Sequence, residues 1–197
     1  MKPAFTVVDD FCEHAEGVRA SALESGFGTW LPNKGEVGSS IYEGMNWKVA
    51  HGVMLRALSA ALGGAHIFPN TCFCRITTPE MERAYIHSDR EDGEWTCVAY
   101  LSKHEDLYGT AFYRHRATGL LEMPPLGDVK DVPGLKQDMV KGGEAEWEQM
   151  DFVRGVFNRA VIFHAPLFHS RIPLLGLGED DKPETARMAW ICHFSMG

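Results

Sequence analysis

His87 and Asp89 stand two residues apart in Tyr85-Ile86-His87-Ser88-Asp89, a segment whose composition reads as strand. On a strand, residues i and i+2 leave the same face, so an imidazole and a carboxylate at this spacing can converge on one ion. Alone, the pair is half a metal site, and a histidine held by a nearby carboxylate for purely structural reasons has the same spelling. The apolar run Ala160-Val161-Ile162-Phe163 is followed by two further histidines, His164 and His169, placed where a strand end could return to the first pair. Two imidazoles and one carboxylate on one face of an iron leave three positions open. An α-keto acid can chelate through two of them and leave the third for molecular oxygen beside a substrate, chemistry that an all-protein cage would block.

A chelating diacid needs an anchor for its far carboxylate, and a guanidinium fork suits bidentate pairing with a carboxylate in a partly dry pocket. Arg187, which opens the run Arg-Met-Ala-Trp-Ile-Cys-His-Phe, is the choice. Arg171 is its rival, because on a strand it would share the face of His169, although a surface or structural ion pair is the commoner fate of such a residue. His104, His115 and His193 are assigned no role, and Trp95 and Trp190 are expected to pack in the core.

Around these residues the chain reads first as a strand, Phe5 to Val8, then as a helix capped by Asp9 and Asp10 with Phe11, Ala15, Val18 and Ala22 on one face. A loop rich in Gly, Pro, Asn and Ser runs from Gly26 to Gly44. A second helix then carries Trp47, Leu55, Leu58 and Leu62 up to Gly63 and Gly64. Short β-type runs follow at Thr71 to Thr77, Ala84 to Ser88, Trp95 to Leu101, Thr110 to Arg114, Ala160 to Phe163 and Arg187 to Phe194, which suggests a sandwich or barrel. The stretch from Leu120 to Gly143 collects Pro124, Pro125, Pro133 and several glycines. With a short helix expected from Glu144 to Phe152, it reads as a long excursion, 120–152, poised as a lid.

The segments resemble, in order, the Fe(II)/2-oxoglutarate dioxygenases, particularly the prolyl-hydroxylase-like branch and small uncharacterised oxygenase-like proteins of bacteria and phages. The matching pieces are Tyr85 to Asp89, then Thr96-Cys97-Val98-Ala99-Tyr100-Leu101-Ser102, Gly109-Thr110-Ala111-Phe112-Tyr113, Asn158 to Phe163, His169 and Arg187. Phe168-His169-Ser170-Arg171-Ile172-Pro173 resembles the family's distal-histidine segment, which favours His169 over His164. The resemblance implies iron held by His87, Asp89 and His169, and 2-oxoglutarate held by Arg187, with Tyr100 beside its far carboxylate. The separation of His169 from Arg187 exceeds the family's usual spacing, and a hairpin insertion over Gly176 to Thr185 would absorb the excess.

The implied fold is an all-β core with flanking helices, a double-stranded β-helix of the jelly-roll, cupin-like kind. One oxygenase-like domain would span 1–197, with helical support over 1–66 and the jelly-roll core over 67–197. The implied reaction oxidises 2-oxoglutarate to succinate and carbon dioxide while hydroxylating a substrate, with demethylation and desaturation open as outcomes. A halogenase variant is disfavoured because Asp89 fills the position that chloride would need. The substrate could be a small molecule, an amino acid or a protein side chain. The alternative is a cupin-like metalloprotein, an isomerase or a binding protein, that does not turn over 2-oxoglutarate.

Composition bounds these expectations. The chain has 197 residues, 45% of them hydrophobic and 23% charged, the balance of an ordinary globular protein with a real core. A net charge of -8 lacks the electrostatic footprint of a nucleic-acid binder. With no apolar run of membrane-spanning length and no apolar leader in MKPAFTVVDD, the expected place is the cytoplasm, with no membrane partner. The five cysteines include one C-x-C pair and no C-x-x-C, so buried free thiols are expected.

Overall fold

The computed structural model describes residues 4–30, 42–49, 51–81, 84–103, 107–125, 132, 134–141, 143, 145–179 and 182–197. Along the chain run β1 (Phe5–Val8), α1 (Ala15–Ser25), β2 (Gly28–Trp30), β3 (Tyr42–Asn46), α2 (His51–Ala61), β4 (Ile67–Thr77), β5 (Trp95–Tyr100) and β6 (Gly109–His115). They are followed by α3 (Leu135–Lys141), β7 (Trp147–Arg154), β8 (Ala160–His164), β9 (His169–Ile172) and β10 (Arg187–Met196). The strands form two sheets, a seven-stranded one in the order β1-β8-β5-β10-β4-β3-β2 and a three-stranded one in the order β7-β6-β9. Every pairing in both is antiparallel.

The period-2 alternation of the central strands sorts their side chains into two cores. Cys72, Cys74, Ile76, Cys97, Ala99, Ile162, Met188, Trp190 and Cys192 face one way and pack with Ala15, Val18 and Ala22 of α1 and Met54 and Leu58 of α2. Their neighbours Val98, Tyr100, Val161, Phe163 and Ala189 face the small sheet and pack with Phe112 of β6 and Val153 of β7. Trp190 is fully buried, as expected of a core tryptophan, and truncating it to alanine would cost about 3–5 kcal/mol. Trp95 is half-buried against the same core. All five cysteines are buried and free.

Several expectations shift. Asp9 and Asp10 do not cap the first helix, which begins later behind His14 without a side-chain cap; both oxygens of Asp9 are instead engaged by Arg159, at 2.6 and 3.1 Å. Trp47 precedes α2 and packs on Phe73. The Gly26 to Gly44 loop contributes β2 and part of β3, and its middle, 31–41, lies outside the described residues. Gly44 has φ +68, and a Cβ there would strike the carbonyl of Ile76, so β3 approaches β4 closely only because this residue is glycine. The segment Ala84 to Ser88 is reduced to a single bridge, His87 to His169. Glu144 to Phe152 supplies most of strand β7 rather than a helix, because its ladder with β6 uses the alternation that a helix would waste.

Where it is described, the excursion reaches the inter-sheet core through Leu121 and covers the small sheet's outer face through α3. Leu135 of α3 packs with Ile86, Trp147 and Phe168 on the outer face of the small sheet. Ile86 and Phe168 adjoin His87 and His169 and point the opposite way, so this part of the excursion buttresses the histidines from behind. Residues 126–131, 133, 142 and 144 of it lie outside the described residues.

Candidate metal centre and anion pocket

β9 carries His169 inward against Phe163 and Phe112, with ring centroids 4.7 and 6.5 Å away. The His87 bridge lays the other imidazole beside it, with ring centroids 4.4 Å apart and reciprocal backbone hydrogen bonds of 3.0 and 2.9 Å. The chain then turns so that the Asp89 amide donates to the Ala165 carbonyl at 2.8 Å, which points its carboxylate at both rings. Asp89 Oδ1 lies 3.6 Å from His87 Nε2, and Oδ2 lies 3.3 Å from His169 Nε2. One donor atom from each of the three falls within 4.8 Å of the others.

The proton inventory of the two rings is fixed by their far sides. Nδ1 of His87 faces the Tyr85 carbonyl at 2.9 Å, and Nδ1 of His169 faces the Leu167 carbonyl at 2.9 Å. A carbonyl only accepts, so each Nδ1 carries a hydrogen, and each ring turns its Nε2 toward Asp89. Burial first, then His169 and Arg75, lower His87 to about 4 against the pull of Asp89, so at neutral pH it does not take up a second proton. Burial alone would raise Asp89, but His169 and His193 outweigh it and hold the carboxyl well below 3.8. Two Nε2 atoms and a carboxylate gathered at 3.3–3.6 Å make a donor set that could hold a divalent metal ion.

Behind the carboxylate, the Thr96 hydroxyl donates to Asp89 Oδ2 at 2.9 Å. His193 Nε2 lies 3.4 Å from the same oxygen, while its Nδ1 contacts the Thr71 hydroxyl at 2.6 Å. Asp92, which is exposed, forms a second possible ligand group with Asp89 and His193. His193 is a site residue that sequence reasoning passed over. It shares the parity of Arg187 along β10, and that signal becomes usable once Arg187 is known to face inward.

His164 is excluded as a ligand by the same parity. Phe163 faces inward, so His164 faces away, stacked edge-on against Trp95 with Glu122 at 3.4 Å. His115 is buried in a structural contact with Thr118 and Asp138, and His104 lies outside the described residues.

Arg187 is 5% exposed, and its Nε is buried without a hydrogen-bond partner. Burial lowers its ionisation, against the stabilising pull of Tyr100 and Tyr108. Tyr100, fully buried, donates its hydroxyl to Thr110 at 2.8 Å, and burial pushes its own ionisation up. Arg171 lies on the inward face of β9 opposite Thr110, with Nη2 donating to the Leu174 carbonyl at 3.1 Å. Burial first, then Arg187 and Arg75, lower it to about 9. A separate groove lined by Leu23, Phe27, Gly44, Ile76 and Met81 opens on the helix side of the large sheet, and none of the candidate ligands lines it.

A family described as being of unknown function, DUF6445, matches residues 2–192. No curated protein matches the chain. Among solved structures, it is similar to SnoK, a non-heme alpha ketoglutarate dependent carbocyclase from nogalamycin biosynthesis, at 16% identity and a TM-score of 0.56, over 99% of this chain and 80% of that one. It is similar to HygX from Streptomyces hygroscopicus with nickel and 2-oxoglutarate bound, at 14% identity and a TM-score of 0.57, over 98% and 83%. It is also similar to OsALKBH1, at 10% identity and a TM-score of 0.55, over 98% and 99%. At such identities the likeness is one of fold.

Proposed function

This chain belongs to the DUF6445 family, and from its site we propose that it is a single-domain Fe(II)- and 2-oxoglutarate-dependent dioxygenase that hydroxylates a small-molecule substrate. One observation carries the reading: both imidazoles give their Nδ1 hydrogens to backbone carbonyls and turn Nε2 onto one carboxylate, so that two nitrogens and a carboxylate oxygen within 4.8 Å of one another can share one ion.

The strand order supports a double-stranded β-helix. From β4 onward the chain alternates between sheets: β4 in the large one, the His87 bridge beside β9, β5 in the large one, β6 and β7 in the small one, β8 in the large one, β9 in the small one and β10 in the large one. That winding explains how ligands remote in sequence share one end of one cavity. SnoK and HygX, which have the same fold, support the choice of iron and 2-oxoglutarate among the metals and co-substrates that the donor set would accept.

In this reading His87, Asp89 and His169 hold the iron on one face. Thr96 and His193 hold the Asp89 oxygen that faces away from His87. Arg187 receives the far carboxylate of 2-oxoglutarate in a dry pocket, with Tyr100 and Thr110 beside it. When bound, iron supplies the oxidation of 2-oxoglutarate by dioxygen to succinate and carbon dioxide, with the second oxygen atom passing to a substrate C–H bond to give an alcohol. The apolar wall of Phe112, Phe163 and Val98 keeps bulk water from the metal side of the cavity.

Anaerobic titration with Fe(II), followed by 2-oxoglutarate, tests the reading. One metal should bind per chain, 2-oxoglutarate should bind the metal-loaded form, and admitting air should release succinate slowly even without substrate. Metal binding with no affinity for 2-oxoglutarate would overturn it.

A further inference from the structure

An oxygenase of the kind proposed above, the reading on which this inference rests, must seat a substrate C–H bond beside its metal, so the side chains at the open side of the ligand set select the guest. His87 marks that side: 36% of its side chain is exposed, against 6% for His169. The packing of the sheets explains the opening. Phe112 of β6 stacks on Phe5 of β1 with ring centroids 4.7 Å apart, and His169 of β9 lies 4.7 Å from Phe163 of β8, so the small sheet lies over the β1-β8 end of the large one. In the large sheet β10, β4 and β3 continue past that end, beyond β5.

Aromatic rings stand on this side. Cys72 and Cys74 of β4 face the helices, so Phe73 between them faces inward, where its ring centroid lies 6.1 Å from that of His193. His193 Nε2 is in turn 3.4 Å from Asp89 Oδ2. Asn46 donates its side-chain amide to the Ala22 carbonyl of α1, so Trp47, the next residue, turns to the face of Phe73, and the two ring centroids are 4.8 Å apart. Their planes meet at 49°, which leaves part of each ring face uncovered; Phe73 is half-buried and Trp47 exposed. Tyr85, half-buried, shares the parity of His87 against Ile86, and its ring centroid is 5.6 Å from the His87 ring. His87 and His193 thus each have a half-buried aromatic neighbour, and Trp47 extends one of them toward solvent. Apolar surface held open to water beside a reacting centre gains free energy when a guest covers it. A flat ring gains more than an aliphatic guest of equal size, because offset-stacked and edge-to-face aromatic pairs attract beyond the area they bury.

We propose that the substrate carries a planar aromatic ring, seated against Phe73 and Trp47 with Tyr85 on the His87 side, so that a substituent of the ring is presented to the metal.

Protein loaded with Mn(II) in place of Fe(II) is titrated in a calorimeter first with 2-oxoglutarate, which checks the oxygenase reading. The metal-loaded protein is then titrated, whatever that result, with 2-naphthol and with its saturated counterpart decahydro-2-naphthol, so the two readings can fail separately. The expected result is saturable binding of 2-naphthol, about two- to tenfold tighter than that of the saturated alcohol. The ring protons of bound 2-naphthol should also relax faster in the Mn(II) protein than in a Zn(II) control, which reads the nearness of the ring to the metal. Phe73→Leu and Trp47→Leu should each weaken 2-naphthol by about two- to tenfold, and more than they weaken 2-oxoglutarate, whereas Trp47→Phe, which keeps a ring, should bind as wild type does. No saturable binding of 2-naphthol at millimolar concentration, equal binding of the two alcohols, equal relaxation with the two metals, or an unchanged affinity in folded Phe73→Leu and Trp47→Leu proteins would each overturn the proposal.

Discussion

Replacing Arg187 with methionine should move two quantities in opposite directions. The guanidinium is 5% exposed, its Nε lacks a partner, and no carboxylate pairs with it among the described residues. Without 2-oxoglutarate it is therefore a desolvated charge waiting for a counterion. Methionine keeps an unbranched stem and removes the charge. Exchanging a buried ionic group for a packed apolar one stabilises by about 1–4 kcal/mol where the charge is poorly compensated. At about 2–4 °C per kcal/mol for a chain of this size, the variant should melt about 2–16 °C above wild type when both carry metal and no co-substrate. Binding moves the other way, because a hydrogen bond to a charged group contributes about 1.5–3 kcal/mol. Its loss weakens 2-oxoglutarate by about 10–150-fold. Wild type at 100 times its Kd gains about 2.7 kcal/mol from the ligand, and the variant at the same concentration gains only about 0.3–1.4 kcal/mol. Thermal melts with and without 2-oxoglutarate, beside calorimetric titration, read both quantities. A variant that melts lower than wild type and binds 2-oxoglutarate equally well would refute the assignment of Arg187 as a preformed anion receptor.

His87→Ala and Asp89→Ala should each abolish stoichiometric iron binding and succinate release while circular dichroism stays that of a folded chain; turnover surviving in both would contradict the ligand set. His193→Phe should leave all three ligands in place but loosen Asp89, lowering iron affinity by about 10–100-fold, the usual effect of losing a group that orients a ligand; unchanged affinity would make His193 a packing residue. Arg171→Ala should weaken 2-oxoglutarate less than Arg187→Ala does, and the reverse order in paired titrations would exchange their roles. Metal-free protein should lose stability as pH falls from 6.5 to about 4, because the unfolded chain protonates His87 at its ordinary value while the folded chain resists until about 4. Acid below that range should continue the loss through Asp89, whose folded value is depressed. The His87→Gln variant should show a shallower slope between pH 6.5 and 4, and melts with equal slopes would refute the linkage.

Most of the large sheet was legible because its strands carry period-2 runs of β-prone residues, and Trp95 to Leu101, Ala160 to Phe163 and Arg187 to Phe194 all fall on observed strands. His87, Asp89 and His169 were legible through spacing and resemblance together, and the structure brings their donor atoms within 4.8 Å. β7 was missed because Trp-Glu-Gln-Met-Asp-Phe-Val-Arg is polar enough to suit a helix surface, and only its ladder with β6 decides the matter. Proline and glycine mark a long excursion, but nothing in the sequence says that its α3 will cover the outer face of the small sheet.

His193 was missed for a deeper reason. Both faces of β4 and β10 need to be compatible with burial, since one meets the helices and the other the small sheet, so neither reads as solvent-exposed. A strand buried on both sides does not announce its functional face through hydropathy. Its polar residues do so instead: on β10 the inward positions are Arg187, Ala189, Ile191 and His193, against Met188, Trp190, Cys192 and Phe194 on the helix side. On β4 they are Thr71, Phe73, Arg75 and Thr77, against Cys72, Cys74 and Ile76. In each strand every cationic or hydroxyl-bearing side chain of the central stretch falls on one parity. Some of these groups answer one another, as Thr71 and His193 do at 2.6 Å, while the Thr77 hydroxyl and Arg187 Nε are buried without a hydrogen-bond partner. Alternation along β10 sets Arg187 and His193 together on the wall that faces the small sheet, and a slip of that strand by one residue would turn both to the helix side at once.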